Sequence, residues 1–300
     1  MATASSHRST PSFAPRKALA QEIRSRVAGP DAGERAARIW DRPGERWFTN
    51  EDPIARVNGH ASMYVGGIRA LLLQSLHPLA MAGVAGHSGY RDDPWGRLQR
   101  TSDYVATSTF ATILDAEAMI SRVRSIHQRI RGHLPDGRAY AASDPHLLGW
   151  VHAAEIDSFL AAHQVYGATP LTPAESDTYV EQAALTARIL GVESPPTTYR
   201  ELQLVLSSYG GELEYSEATS DVIQLLIEEP PLPPALQPAY RMLAAGAVAI
   251  LPATARRLLG LPTARLGDAV LRRPLGQFST AAVRWALGQA TITAEADAPA

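Results

Sequence analysis

"SDPHLLGWVHAAEIDSFLAAHQVYG", Ser143–Gly167, reads as one helix from about residue 145 to 166. Asp144 is an N-cap, and Pro145 takes the first helical position, where a missing N–H costs nothing. Similar punctuation recurs on both sides of it. Thr172, Pro173 and Glu175 open "TPAESDTYVEQAALTARILG" as a capping arrangement, and Gly191 closes it. Upstream, Asp93–Pro94 starts a helix over 93–111, and Asp115 starts another over 115–131 with Gly132 as its C′ glycine. The most apolar stretch, 62–84, is predicted to break or kink near Pro78. Short helices are expected at 16–29, 31–41, 198–208, 217–228, 235–249, 252–260 and 275–289. Strand-like alternation is confined to "GRAYAAS", Gly137–Ser143, read as a hairpin or an extended connector. These signals predict an all-α fold with a single large domain over 16–290. It is flanked by a disordered tail at 1–15 and a flexible one at 291–300.

Composition narrows the chemistry. Three hundred residues are enough for a core that encloses a ligand. A net charge of −2 gives no electrostatic reason to expect nucleic acid. Cysteine is absent, which excludes disulfides, thiolate-bound zinc, iron–sulfur clusters, cysteine nucleophiles and a thiolate-ligated haem. Any metal must be held by His, carboxylate or Tyr. The apolar segment "GGIRALLLQSLHPLAMAGVAG", Gly66–Gly86, is interrupted by Arg69, Gln74, His77 and Pro78. It falls short of the roughly 18 uninterrupted apolar residues of a spanning helix, so no stable membrane insertion is expected. The N-terminus is polar and Pro/Ser-rich with no apolar stretch of a signal peptide, which points to a cytoplasmic protein.

No glycine-rich phosphate loop and no nucleophile elbow is present, which leaves the nine histidines. His77, His127 and His152 each follow an apolar run. Alone, each is most simply a hydrogen-bonded core imidazole; together they demand partners for six ring nitrogens. His7, His133, His146 and His163 read as tail, loop or surface residues, while His60 and His87 stay open. A ferritin-like di-metal site needs two Glu-x-x-His motifs, and the nearest match, His152 with Glu155, is reversed and unrepeated. A haem suits the residues better. One neutral imidazole can be its proximal ligand, and arginine forks suit its propionates. On the predicted helices, Arg124 and Arg131 fall at i−3 and i+4 from His127. Arg97, Arg100 and Thr101 share another face, whose plain alternative is a solvated surface.

"GGIRALLLQSLHPLAMAGVAGHSGYRDDPWGRLQRTSDY", then "VRSIHQRIRG", then "YAASDPHLLGWVHAAEIDSFLAAHQVYG" resemble the catalytic domain of the latex-clearing protein (rubber oxygenase) family. That family also contains the fungal membrane-bound oxygenases of mycophenolic acid biosynthesis. The similarity covers roughly residues 45–260. It implies an all-helical, globin-related fold around a non-covalent haem b (iron). The iron's proximal ligand falls on His127 with Arg124 beside it, and Arg131 and His152 are further cofactor-binding candidates. The distal Arg-x-x-Lys-Thr pattern falls on Arg97, Arg100 and Thr101. Here arginine replaces the lysine, and a guanidinium that stays protonated cannot ligate iron. The upstream acidic base has no counterpart in "LHPLAMAGVAGHSGY", which leaves His77 or His87 as substitutes. These departures point away from rubber cleavage.

The expected function is a haem-b-dependent oxidoreductase that uses O2 on a small apolar metabolite or lipid, with the oligomeric state open. Two rivals stand beside it: a haem sensor or carrier without turnover, and a helical scaffold that has lost the cofactor. An oxygenase needs an apolar cavity of several hundred Å³, on the order of those in ligand-binding proteins.

Overall fold

The computed structural model describes residues 26, 29, 31–85, 93–263 and 267–287. His87, both terminal tails and nearly all of the helix expected at 16–29 lie outside the described residues. Among the described residues, helix follows helix, with one two-stranded hairpin, so the fold is all-α.

Helix α1 (Ala32–Ala36) runs into a π turn at Ala37–Asp41, and α2 (Pro53–Asn58) follows. The apolar segment divides into α3 (Met63–Gln74) and α4 (Pro78–Ala85). The break falls where proline demands it: Leu76 and His77 close α3 with turn hydrogen bonds, and Pro78, which has no N–H, begins α4. Helix α5 (Pro94–Phe110) starts as expected, the Asp93 carboxylate accepting the Gly96 N–H at 2.8 Å.

The next helix corrects the sequence prediction at both ends. Helix α6 is Ile113–His127, not 115–131. Its cap is Thr112, whose hydroxyl accepts the Asp115 N–H at 3.3 Å. Its end is set by a hairpin that takes the following residues: β1 (Arg131–His133) pairs antiparallel with β2 (Ala139–Ala141), Gly132 opposite Tyr140. Gly132 is therefore a strand residue. A Cβ there would lie 2.7 Å from the Tyr140 hydroxyl, so the glycine admits the ring. Arg131 consequently does not share a helical face with His127; it is exposed on β1.

Helix α7 (Pro145–Tyr166) and helix α8 (Pro173–Leu190) match their predicted bounds, with Asp144 capping the first and a reciprocal Thr172–Glu175 box capping the second. Gly191 ends α8 at φ +125°, a backbone setting that favours glycine. Then come α9 (Tyr199–Ser208), a 3₁₀ turn at Tyr209–Gly211 and α10 (Glu217–Ile223), which continues as a π turn at Gln224–Glu228. Helices α11 (Gln237–Ala249), α12 (Ala253–Leu258) and α13 (Arg273–Leu287) complete the described chain.

Helix α7 is the axis. It is apolar around most of its circumference, as a central helix must be, and packs along α3 more extensively than any other pair of helices does. Trp150, Ala154, Ala162 and Tyr166 join one core with Val65, Leu72 and Leu76. Ala153, Ile156 and Leu160 join another with Val57, Val105 and Tyr179. Arg69, which interrupts the apolar segment in the sequence, is buried against α7. Its guanidinium donates to Asp157 at 2.7 Å, Ser158 at 2.6 Å and the Ile250 carbonyl at 3.0 Å. Gln203 donates to the other Asp157 oxygen at 2.7 Å, so both carboxylate oxygens of the pair are engaged.

Candidate functional site

Helix α6 is joined to α5 by Ala111 and Thr112 alone, packs on α5 and α8, and ends just before the hairpin. That end carries His127. Its Nδ1 is buried and has no hydrogen-bond partner among the described residues. Burial holds the imidazole below its usual pKa, which keeps it neutral. Arg124 is exposed one turn earlier.

His152 and Glu155 lie one turn apart on α7, at the i, i+3 spacing that puts side chains on one face. His152 resembles His127. Its Nε2 is buried without a partner among the described residues, and burial pushes it down to about 4. Burial pushes the Glu155 carboxyl the other way, up to about 7, because the charged form is the one desolvation penalises. Both side chains keep a fraction of accessible surface despite lying deep in the protein. Burial also raises the phenols of Tyr104 on α5 and Tyr179 on α8, and the charge of Glu155 adds to both shifts. Glu155 thus couples α5, α7 and α8 electrostatically. Two neutral imidazoles with unused buried nitrogens are competent electron-pair donors. Left without a partner, each such nitrogen costs about 1–3 kcal/mol.

An apolar cavity of ≈ 90 Å³ is lined by Leu71, Met81, Val84, Val151, Leu225 and Arg97, the one charged group among its described lining residues. Val151 is the neighbour of His152 in the chain. The cavity bounded by the described residues is smaller than the several hundred Å³ expected of an oxygenase pocket. Of the three residues expected on the distal face, Arg97 reaches the cavity. Arg100 and Thr101 are exposed: Arg100 stands 3.5 Å from Asp93, and the Thr101 hydroxyl donates back to the Arg97 carbonyl at 3.1 Å.

His77 is 1% exposed, as its apolar context predicts, and it turns its Nε2 toward Glu212 at 3.3 Å. His146, expected at the surface, is exposed but reaches the same carboxylate at 2.9 Å. His163, also expected at the surface, is buried. Its Nε2 faces the Thr169 carbonyl at 3.2 Å, and its ring lies edge-on to His60 at 5.3 Å. The chain reverses tightly over it at Gly167, where a Cβ would come within 2.3 Å of the His163 carbonyl. Glu212 carries no local motif that marks it in the sequence. Glu155 is marked in the sequence by the reversed, unrepeated di-metal spacing to His152 and by its place among apolar residues one turn after that histidine.

A helical domain that buries neutral imidazoles, a carboxyl held near 7 and an apolar cavity has the parts of an oxygenase-type catalytic domain. Residues 55–285 match the family described as ER-bound oxygenase mpaB/B'/rubber oxygenase, catalytic domain, and the chain belongs to that family. No curated protein and no solved structure matches it. No described helix is long and apolar enough to cross a membrane.

Proposed function

We propose that the protein is a haem-b-dependent oxygenase that uses O2 to oxidise a small apolar metabolite or lipid, and that it acts in the cytoplasm. In this reading residues 16–290 form one domain with a globin-related core. The observation that carries the haem assignment is His127, kept neutral by burial and left with an enclosed Nδ1 that no described residue engages. Such a nitrogen fits an iron ligand. His152 Nε2 has the same character and is assigned to the cofactor's surroundings. Arg124 and Arg131 are assigned to the propionates, where exposed guanidinium forks meet carboxylates at the protein's edge.

When bound, the haem supplies the iron that activates O2. The chain's own residues supply the rest. Arg97 places a permanent cation in the apolar cavity, where it orients a polar atom of the substrate but cannot bind iron. The walls formed by Leu71, Met81, Val84 and Leu225 exclude water and favour an apolar substrate. Glu155, near 7, is close to half-protonated at neutral pH, so its carboxyl oxygen can take or return a proton there. It fills the role of the acidic base that the sequence upstream of Arg97 lacks.

The test is the absorption spectrum of protein expressed with ample haem precursor. Wild type shows a Soret band, and His127→Ala loses most of it, while His152→Ala retains at least part. A normal Soret band in His127→Ala overturns the ligand assignment, and colourless wild-type protein overturns the haem. The cavity's small size favours a second reading, a haem sensor or carrier without turnover. Apolar candidate substrates that shift the Soret band of the wild type exclude it.

A further inference from the structure

Three segments far apart in the chain bring their polar side chains to one point. His77 closes the joint between α3 and α4, His146 is the second residue of α7, and Glu212 follows the 3₁₀ turn. His77 Nε2 stands 3.3 Å from Glu212 Oε2, and His146 Nε2 stands 2.9 Å from that same oxygen and 3.0 Å from Oε1. The three ligating atoms lie within 4.8 Å of one another. Around a tetrahedral zinc ion with bonds of about 2.0–2.2 Å, neighbouring ligand atoms sit roughly 3.3–3.6 Å apart. The His77–carboxylate separation falls in that range, His146 stands a few tenths of an ångström closer to the carboxylate, and no two of the three ligating atoms are more than 4.8 Å apart.

The three groups are held in place from behind. The Tyr209 hydroxyl donates to the His146 carbonyl at 2.8 Å, and its ring stacks 4.6 Å from the His146 ring. Trp150 and Tyr209 flank the buried His77 ring at 6.0 and 6.1 Å. The Glu214 N–H donates to the Leu76 carbonyl at 2.9 Å, which pins the segment bearing Glu212 to the end of α3. Asp144 fixes the first turn of α7 by accepting the His146 N–H. Ligands that are fixed before an ion arrives lose little entropy when it binds. The opposite side is open, since the side chains of His146 and Glu212 are 53% and 42% exposed. Two imidazoles and one carboxylate suit zinc and its transition-metal neighbours, whereas calcium and magnesium prefer all-oxygen shells.

We propose that His77, His146 and Glu212 bind one divalent transition-metal ion of the zinc class, with a solvent-facing position left for water. The ion would clamp the α3–α4 joint to the start of α7. Because Ala80, Met81 and Val84 of α4 wall the apolar cavity, the clamp would also fix one side of it. The site uses none of the residues assigned above to the haem.

Tag-free full-length protein, stripped with a chelator, is titrated with Zn2+ by calorimetry and with Co2+ by visible absorption. The expected result is one ion per chain, with tetrahedral cobalt bands. Tm should rise by about 5 °C at a free Zn2+ concentration 100 times Kd. His146→Ala and Glu212→Gln, both at exposed positions that leave the core intact, weaken binding by about 100-fold or more. His133→Ala, an exposed histidine on β1, leaves it unchanged. Absence of stoichiometric uptake by wild type, or equal uptake by His146→Ala, overturns the proposal. The Soret band of His146→Ala, read in parallel, separates this outcome from a failure of the haem assignment.

Discussion

Two neighbouring positions on α7 bury carboxyls of opposite character. Asp157, on the seam with α3, has both oxygens engaged by Arg69 and Gln203. Glu155, two residues earlier, faces the α5 side with His152, where burial drives its pKa up and the imidazole's down. One seam buries charge and satisfies it. The other buries groups that give up their charge. A buried polar group with a full set of partners fixes helix packing, whereas one shifted toward neutrality and short of partners stands ready for a ligand or a proton.

The comparison breaks most visibly at Asp157. Asp157→Ala strands the Arg69 guanidinium in the core and should cost about 3–5 kcal/mol, read as a fall in the denaturant midpoint. A loss below about 1 kcal/mol would show that the seam does not depend on the pair. Glu155→Gln should do the reverse, and only above mildly acidic pH. The folded pKa near 7 exceeds the ordinary value of 4.5, so the folded state holds more protons than the unfolded state between those values. Stability contributed by the protonated carboxyl is therefore complete below about 4.5 and lost as pH rises through 7. Relative to wild type, Glu155→Gln gains little at pH 4 and about 3 kcal/mol at pH 8. A pH-independent difference would sink that account.

His152 runs oppositely. Its folded pKa near 4 lies below the ordinary value of 6.5, so stability is complete above 6.5 and lost as pH falls through 4. The two slopes offset each other between about 4.5 and 6.5, and each single variant uncovers the other. The smallest effect belongs to Arg124→Gln on the exposed face of α6. Its folding stability should change by less than about 0.5 kcal/mol, while its haem content, read from the Soret band, falls if the propionate assignment is right.

The helices were legible where their signals are local. Asp144–Pro145, Thr172–Glu175 and Asp93–Pro94 each carry cap and first-turn chemistry within four residues, and the bounds of α5, α7 and α8 follow from them. The end of α6 was not legible. Gly132 has the sequence context of a C′ glycine, but pairing with Tyr140 across the hairpin outweighs continuing the helix. His163 shows the same limit: its place at the end of α7 reads as surface until the turn at Gly167 covers it.

The sequence by itself determined the all-α class, the exclusion of thiolate chemistry and the apolar setting of His77 and His127. These follow from residue type and local spacing, which act within a few residues of the chain. Only the tertiary structure decided which polar groups find partners. Arg69 meets Asp157 across 88 residues, and His77 meets Glu212 across 135. Packing also leaves His127 and His152 with nitrogens that no described residue engages. The physical reason is that burial and pairing depend on what surrounds a side chain in space, and that neighbourhood exists only after the helices have packed.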